Sequence, residues 1–306
     1  MEPMVYHTPA LLQPSLEGLN IRPDGVYVDV TFGGGGHSRA ILERLSEKGR
    51  LYAFDQDQDV FRNVPPDPRL VFVHGNFRYL KNFLRYHGET QIDGLLGDLG
   101  VSSHHFDEAA RGFSFRFDDE VLDMRMNQRA GRTAAELLAD CPQEELCRIF
   151  RDYGELPQAG RMAALLVKAR QQRPICTVGD FKAVLAPVLG SERDGRMRTK
   201  ELAPAFQALR IEVNQEMEAL RRMLEQALEL LRPGGRLAII SYHSLEDRLV
   251  KNFMRSGNFE GRVEEDFYGN RRTPIRPVGK PVTPGQEEQM SNPRSRSARL
   301  RVAEKV

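Results

Sequence analysis

Short apolar runs alternate along the chain with longer segments in which apolar residues recur at helical spacing. Runs of this length that are rich in Val, Ile, Leu and Phe are typical of strands buried on both faces. Because helical segments separate them, they predict a parallel sheet with right-handed crossover connections. The predicted strands are residues 26–30, 51–55, 70–74, 92–98 and 236–241.

The same alternation continues toward the C-terminus. Apolar residues over 213–231 follow a helical period and stop at the Arg-Pro-Gly-Gly of 232–235, which predicts an amphipathic helix leading into the next strand. Residues 265–291 are rich in Pro, Gly and charge, so we expect a loop there. Apolar alternation over 298–302 predicts a final strand, either at the edge of the sheet or next to the edge.

The segment between the fourth and fifth predicted strands is too long for a loop and must carry its own structure. Thr133 with Glu136, and Thr177 with Asp180, have the spacing of helix capping boxes. Residues 162–169 are dense in helix formers. We therefore expect a mostly helical domain over residues 106–212, inserted into a discontinuous core formed by residues 1–105 and 213–306.

Four consecutive glycines at 33–36 follow the first predicted strand and directly precede a helical pattern. Glycine permits positive φ angles and lets a ligand approach backbone N–H groups, and a helix start adds a positive dipole end. This pattern is typical of a nucleotide-type cofactor loop, although a plain tight turn is the alternative. Asp55 ends the second predicted strand about 20 residues later, where a doubly wound fold places the carboxylate that accepts ribose hydroxyls.

The composition excludes several classes of protein. The formal net charge of +1 shows no global nucleic-acid signature, but residues 269–301 hold eight cationic side chains against two anionic ones. Three cysteines without metal-ligand spacing indicate reduced thiols in a cytoplasmic protein, and we expect no metal site. The N-terminus lacks a basic segment leading into an apolar one, and no apolar run reaches membrane-spanning length, so no membrane partner is expected.

The identity of the cofactor follows from what the glycine loop lacks. The loop does not form a clean G-x-G-x-x-G pattern, because the sixth position is Ser38 or Arg39, and this weakens a nicotinamide interpretation. S-adenosylmethionine fits better, since its sulfonium already activates the methyl group and the protein contributes mainly alignment. The absence of a recognisable hydrolytic triad agrees with this. A nucleotide-binding oxidoreductase is the alternative.

An ordered set of motifs resembles the MraW/RsmH family of bacterial methyltransferases over nearly the whole chain. That family acts on N4 of a cytosine in the decoding region of 16S ribosomal RNA of the small subunit. The resemblance implies an α/β fold: a class I (Rossmann-like) S-adenosylmethionine-dependent methyltransferase core with a mostly helical inserted domain for substrate recognition. The motifs are HTPALL from His7, DVTFGGGGHS from Asp29, FDQD from Phe54, HGNF from His74, GDLGVSS from Gly97, RGFSFR and LDMRM within 111–126, FQALRIEVN from Phe206, RPGGRLAIISYHSLEDR from Arg232 and NPRSRSARLR from Asn292.

The resemblance also implies cofactor contacts. Two departures stand out: His104-His105 replaces the usual Pro-Gln of relatives, and Pro204 stands where relatives tend to have Arg. A glutamine-type contact would therefore be made by an imidazole or lost. The positions that match the family's S-adenosylmethionine contacts are Gly34, Gly35, Gly36, His37, Asp55, Phe77, Asp98 and His105.

Methylation of a cytosine amine needs an acceptor for an amino hydrogen, because the nitrogen lone pair is delocalised into the ring. The Asn/Asp-Pro-Pro-aromatic motif of many amino methyltransferases is replaced here by Asp98-Leu99-Gly100-Val101. For Tyr242 the alternative is a packed aromatic, and for His243 a hydrogen bond at a helix N-terminus beside a Ser244/Asp247 cap. The catalytic candidates are Asp98, Ser102, Tyr242 and His243.

A base must leave its stack to be methylated, and phosphate contacts elsewhere must offset that cost. The basic segment 271–301 could supply them, together with a cluster in the insert, although solvated charge is the alternative. The expected partner is small-subunit ribosomal RNA within an assembled or partly assembled subunit, and a homodimer stays open. Alternatives are a non-catalytic ribosome-assembly factor and a small-molecule methyltransferase. The cluster in the insert is Arg193, Arg196, Arg198 and Lys200.

Overall fold

The computed structural model describes residues 9–101, 108–190, 199–265, 268 and 271–306. The chain divides into two compact units. The first, which we call the core unit, consists of Met1–Gly100 and Met217–Val306, and the second, the inserted unit, is Val101–Glu216. These boundaries lie a few residues from those that the sequence predicts. Among the described residues, we find no helix that is both long and apolar enough to span a bilayer.

A seven-stranded sheet forms the centre of the core unit, in the order β3-β2-β1-β4-β5-β9-β8. The first five strands run parallel, whereas β9 is antiparallel to both β5 and β8. A separate two-stranded ribbon pairs β6 with β7. The strands are β1 Val26–Asp29, β2 Arg50–Asp55, β3 Leu70–His74, β4 Ile92–Asp98, β5 Leu231–Ser241, β6 Glu264–Glu265, β7 Arg271–Arg272, β8 Ile275–Pro277 and β9 Arg299–Lys305.

All five parallel strands overlap segments predicted from their apolar runs, and most of these residues are buried, although in the outer strand β3 only Val73 is buried. Val28, Leu95 and Leu237 are fully buried. The register pairs Asp29 with Leu96 and Asp98 with Ile240, so the carboxyl ends of β1, β4 and β5 meet at one edge. The predicted final strand is confirmed as β9, which lies next to the edge strand β8.

Helices surround the sheet in the core unit and form most of the inserted unit. They are α1 Leu12–Leu19, α2 Gly36–Leu42, α3 Leu80–Tyr86, α4 Ala134–Asp140, α5 Gln143–Asp152, α6 Ala159–Arg170, α7 Val178–Leu189, α8 Thr199–Asn214, α9 Glu216–Leu230, α10 Ser244–Ser256 and α11 Gln286–Ser291.

The inserted unit confirms both predicted capping boxes. Thr133 accepts from the backbone N–H of Glu136 at the start of α4, and Thr177 accepts from that of Asp180 at the start of α7. Each acidic side chain accepts in return from the backbone N–H of its threonine, which satisfies two helix-end donors at each site. The unit has its own apolar core, built around fully buried side chains such as Phe181.

The predicted helix over 213–231 is wrong at both ends. Gln215 has a φ of 50°, which separates α8 from α9. The Asn214 side chain holds this break, because its amide donates to the carbonyl oxygen of Met124 (2.8 Å) and its oxygen accepts from the N–H of Met126 (2.8 Å). At the other end, Leu231 belongs to β5. Helical periodicity alone does not show such a long-range contact.

The expected loop over 265–291 is also wrong in part, because it contains the edge strand β8 and the helix α11. Ile275 is fully buried where β8 pairs with β9. Proline at 277 is tolerated in this strand, since an edge strand can lack one ladder donor.

Candidate active site

The glycine loop at 33–36 connects the end of β1 to the start of α2. Gly33 and Gly35 have φ angles of 50° and 74°, which favour glycine strongly. A Cβ atom on Gly33 would meet nothing closer than the Thr31 carbonyl oxygen at 4.0 Å, so open space borders the loop there. The loop therefore offers a backbone surface that a ligand can approach closely.

The buried carboxylate of Asp29 stabilises this loop. Asp29, at the end of β1, is 1% exposed and accepts from the backbone N–H of Thr31 (3.0 Å) and from the Ser38 hydroxyl (2.6 Å). The Thr31 hydroxyl oxygen in turn accepts from the backbone N–H of Asp98 (2.7 Å). One network therefore ties the glycine loop, the first turn of α2 and the end of β4 together.

Asp55 fixes the opposite side of the loop. Its Oδ2 accepts from the N–H of Gly33 (2.8 Å) and its Oδ1 from the N–H of Asp57 (2.9 Å). These bonds fix the carboxylate at the end of β2 beside the glycine loop, the position at which a doubly wound fold presents an acceptor to ribose hydroxyls.

Residues 9–11 pack against the start of α2, next to the glycine loop. A Cβ on Gly36 would overlap Pro9 Cγ and would lie 3.0 Å from Pro9 Cδ. His37, which is 5% exposed, places Nε2 at 3.2 Å from the carbonyl oxygen of Ala10. Because that carbonyl can only accept, Nε2 carries the hydrogen. The next backbone N–H, of Leu11, donates to Glu288 Oε1 (2.7 Å).

Asp98 lies at the end of β4 beside this loop. Its Oδ2 is 3.9 Å from His37 Nδ1, whereas its Oδ1 is buried and has no hydrogen-bond partner among the described residues. Burial raises the pKa of the Asp98 carboxyl, although His37 and the Tyr242 hydroxyl lower it in part. The Asp98 side chain as a whole is 22% exposed, but its unpartnered oxygen, Oδ1, is buried. An unpartnered buried carboxylate oxygen costs free energy unless a ligand meets it.

Tyr242 follows β5 and reaches the same carboxyl. Burial raises the pKa of the Tyr242 phenol, and the negative charge of Asp98 raises it further. The phenol is therefore neutral at physiological pH and acts as a hydrogen-bond donor to Asp98. Its ring packs closely on Gly100, where a Cβ would lie 2.6 Å from Tyr242 Cε2.

His243 caps helix α10, and the predicted Ser244/Asp247 cap is wrong by one residue. Its Nδ1 is 3.4 Å from the backbone nitrogen of Glu246, which donates to it, and Glu246 Oε2 accepts from the backbone N–H groups of Tyr242 (2.9 Å) and His243 (3.4 Å). Asp247 points elsewhere, since it binds the side chains of Arg299 and Arg301. Histidine can replace the usual Ser or Thr as the cap because a neutral ring nitrogen accepts a hydrogen bond.

Other predicted site residues are placed less centrally. Phe77 begins a short 3₁₀ turn after β3 and is half-buried against the apolar core. Ser102, His104 and His105 lie outside the described residues. Pro204 lies within α8.

Ion pairs with acids elsewhere in the sequence reduce the positive charge of the segment 271–301. Arg276 pairs with Glu304, and Arg299 and Arg301 both pair with Asp247. Burial raises the pKa of Asp247, but its two arginine partners outweigh that effect and hold the pKa below its usual range. In the insert, Arg193, Arg196 and Arg198 lie outside the described residues, as does the Lys200 side chain.

The sequence interpretation missed three functional side chains: Asp29, Glu246 and Glu288. Asp29 lies inside a predicted strand, so its role as an acceptor for the glycine loop had no separate signal. Glu246 follows His243 at capping-box spacing, and that spacing is a usable signal. Glu288 meets Leu11 across 277 residues of sequence, a contact that no local pattern reveals.

Replacement of Asp29 by Ala should destabilise the loop and the fold together. The Thr31 N–H and the Ser38 hydroxyl would lose their acceptor in a buried position, and each unsatisfied group costs about 1–3 kcal/mol. We expect the free energy of unfolding in urea to fall by about 2–4 kcal/mol. The exposed Asp24→Ala variant is the matched control and should change it by less than about 0.5 kcal/mol. Equal effects of the two substitutions would contradict this role for Asp29.

A doubly wound sheet with a glycine loop after β1 and carboxylates at the ends of β2 and β4 defines a Rossmann-like enzyme that binds a nucleoside cofactor. The model of the MraW methylase family matches residues 4–306, so the chain belongs to that family. This confirms the predicted methyltransferase core, and S-adenosylmethionine is the cofactor.

Curated relatives agree with this membership. A protein of Parabacteroides distasonis named "Ribosomal RNA small subunit methyltransferase H" is 60% identical over 303 residues, which cover 98% of each chain. One of Bacteroides thetaiotaomicron with the same name is 58% identical and covers 99% of this chain and 98% of its own. A solved rRNA methylase from Streptococcus thermophilus is a more distant likeness, with a TM-score of 0.43, 13% identity and 99% of both chains covered.

The described residues fit S-adenosylmethionine. Open space beside Gly33 admits a ligand, Asp55 lies at the end of β2 where ribose hydroxyls bind in this fold, and the buried Oδ1 of Asp98 lacks a hydrogen-bond partner among the described residues. None of these groups requires a phosphate. Two carboxylates at one sheet edge would repel a pyrophosphate but favour a cationic sulfonium.

Proposed function

We propose that this protein transfers the methyl group of S-adenosylmethionine to N4 of a cytosine in the decoding region of small-subunit ribosomal RNA. The names of relatives at 58–60% identity support small-subunit ribosomal RNA as the substrate. The observation that carries the choice of an amine is the Asp98 carboxyl beside the glycine loop: burial raises its pKa, and its Oδ1 has no hydrogen-bond partner among the described residues.

Asp98 is suited to accept the amino proton. A carboxyl with a raised pKa is a stronger base than an exposed one, and general-base efficiency increases as the pKa approaches the working pH. Tyr242 holds its own proton and donates to the carboxyl, so it orients Asp98 but does not compete for the proton. His243 is engaged in capping α10, which favours a structural role for it.

The cofactor contacts that the resemblance implies become proposals for this chain. Gly34, Gly35 and Gly36 would present backbone atoms to the methionine part, and Asp55 would accept the ribose hydroxyls. His37 would line the pocket beside Asp98. Phe77 would border the base of the cofactor. The proposed contact of His105 with the cofactor rests on the resemblance alone. When bound, the cofactor supplies the activated methyl group.

Ring-carbon methylation is the competing chemistry on the same base. Attack through a cytosine carbon requires a nucleophile that first adds to the ring, for which a cysteine thiolate is well suited. None of the described residues that form the site is a cysteine; the three cysteines of the chain are Cys141, Cys147 and Cys176. A carboxylate that only removes a proton suits an amine. This supports N4 over a ring carbon.

Purified protein incubated with methyl-labelled S-adenosylmethionine and small subunits from cells that lack the gene tests the proposal. We expect label only in N4-methylcytosine after digestion of the RNA to nucleosides. Naked ribosomal RNA in a parallel reaction shows whether the assembled subunit is needed. Label in a different nucleoside would contradict the proposal. Tight binding of subunits without any label would instead favour a non-catalytic assembly factor.

A further inference from the structure

A pocket of about 380 Å³ lies in the core unit beside the end of β5. Its walls come from the segment after β5, from the first two turns of α10 and from the start of β9. Its charged lining residues are Asp247, Arg248, Lys251 and Arg299, and the Tyr242 side chain also lines it.

Hydrogen-bond donors and positive charge dominate this pocket. Three cations, Arg248, Lys251 and Arg299, face one carboxylate, Asp247. That carboxylate is committed to arginines, because its Oδ2 accepts from Arg299 (3.1 Å) and its Oδ1 from Arg301 (2.7 Å). The Arg299 side chain is still 48% exposed, so its guanidinium has N–H groups left for a ligand.

Lys251 contributes the least committed charge. It is exposed on α10, one turn beyond Asp247, and it forms no ion pair with any residue that the structure describes. Serine side chains complete the lining, and one of them, Ser241, donates its hydroxyl to the carbonyl oxygen of Arg299 (3.4 Å). A site with several cationic donors and one engaged carboxylate suits an anion with many acceptor oxygens, and a phosphate group has that chemistry.

The location of the pocket ties it to the substrate. Tyr242 lines the pocket and also reaches the Asp98 carboxyl within the same unit. A group bound here therefore lies one side chain away from the proposed proton acceptor. The backbone of a nucleotide whose base lies at Asp98 would pass close to this pocket, which favours an RNA phosphate over a free anion as its ligand.

We propose that this pocket binds a backbone phosphodiester of the substrate RNA next to the target cytidine, an inference that rests on the proposed function. Extrusion of a base from its stack costs a few kcal/mol, and binding energy from a phosphate that does not react can offset that cost. The pocket then acts as the anchor that holds the strand while the base occupies the site.

The Lys251→Glu variant tests the proposal, with Lys48→Glu as the matched control. Both variants replace Lys by Glu, so they change the net charge equally. Lys48 is exposed and precedes β2, at the opposite end of the parallel strands from the pocket. We expect Lys251→Glu to raise the KM for small subunits about tenfold, while kcat and the Kd for S-adenosylmethionine stay within about twofold. A plot of log Kd for subunits against log salt should lose a slope of about 0.7, the value for one phosphate contact to a single strand.

Three outcomes would overturn the inference. In the first, Lys251→Glu and Lys48→Glu bind subunits with equal Kd and equal salt slopes. In the second, inorganic phosphate binds the wild-type protein in a Lys251-dependent way while subunit binding does not depend on Lys251, which assigns the pocket to a free anion. In the third, Lys251→Glu weakens binding of S-adenosylmethionine as much as binding of subunits, which indicates a general structural defect. Subunit binding is measured without turnover, so a protein that binds but does not methylate contradicts the proposed function and leaves this test intact.

Discussion

An Asp98→Asn variant is expected to lose about 10²- to 10⁴-fold in kcat while it stays folded, because general-base catalysis contributes a factor of that size. Asparagine keeps the shape of the side chain and can still accept a hydrogen bond from Tyr242. It cannot take up a proton from the cytosine amine. Since Asp98 is buried at a strand end, loss of its charge should not destabilise the fold. Single-turnover methylation of small subunits separates this chemical effect from substrate binding.

The pH profile gives an independent signature of the same residue. Burial raises the pKa of the Asp98 carboxyl, and activity requires the deprotonated form, so kcat/KM should fall as the pH drops through that raised pKa. The positive charge of the bound cofactor favours the carboxylate. The acid limb of kcat should therefore lie at lower pH than the acid limb of kcat/KM for S-adenosylmethionine, which reports the enzyme without bound cofactor. Asp98→Asn should abolish both limbs.

The exposed Asp24→Asn variant is the control, because its carboxylate precedes β1 at the far end of the strands. It should retain the rate and both limbs of the wild-type profile. An Asp98→Asn enzyme within tenfold of the wild-type kcat would assign the proton to solvent or to another group, and the catalytic role of Asp98 would be abandoned.

The second large effect is expected from Gly36→Ala. The new Cβ would overlap Pro9, whose ring cannot yield by rotation, so the backbone around Pro9 must shift away from the glycine loop. That shift also separates Ala10 from His37, which the Ala10 carbonyl holds at 3.2 Å. We expect the Kd for S-adenosylmethionine to rise about 10- to 100-fold, because small displacements of binding groups have costs of this size. Calorimetric titration measures it.

Gly285→Ala is the matched control for this substitution. Gly285 has extended backbone, and a Cβ there would meet no atom within 4 Å. Its Kd for S-adenosylmethionine should equal that of the wild type. Gly36 begins α2, where alanine is a good helix former, so unfolding of the Gly36→Ala variant is not expected. If its affinity stayed within twofold of the wild type, the contact of Pro9 with the loop would have no part in cofactor binding.

The parallel strands were predictable because burial on both faces leaves a continuous apolar run, as in the segments around Phe54 and Leu95. Helix starts such as Thr133 carry their own local signal. The break at Gln215 was not predictable, since Asn214 is held by the backbone of residues 124 and 126, which are far away in sequence. Ile275 lies among prolines and charges, so its burial against β9 was hidden by composition.

The candidate site divides in the same way. Asp55 and Asp98 were predictable as strand-end carboxylates, because parallel strands bring their carboxyl ends to one edge. Their environment was not, since the pKa of Asp98 depends on burial and on His37 and Tyr242, which converge only in the folded chain. Sequence motifs identify which residues matter. Only the fold shows which oxygen is left for a ligand.

Mass spectrometry of small-subunit ribosomal RNA from a strain that lacks the gene tests the central claim most directly. The deletion strain should lose one N4-methylcytosine from the decoding region, and a copy of the wild-type gene should restore it. A copy that encodes Asp98→Asn should produce stable protein without restoring the modification. A methylation map that is unchanged by the deletion would contradict the account.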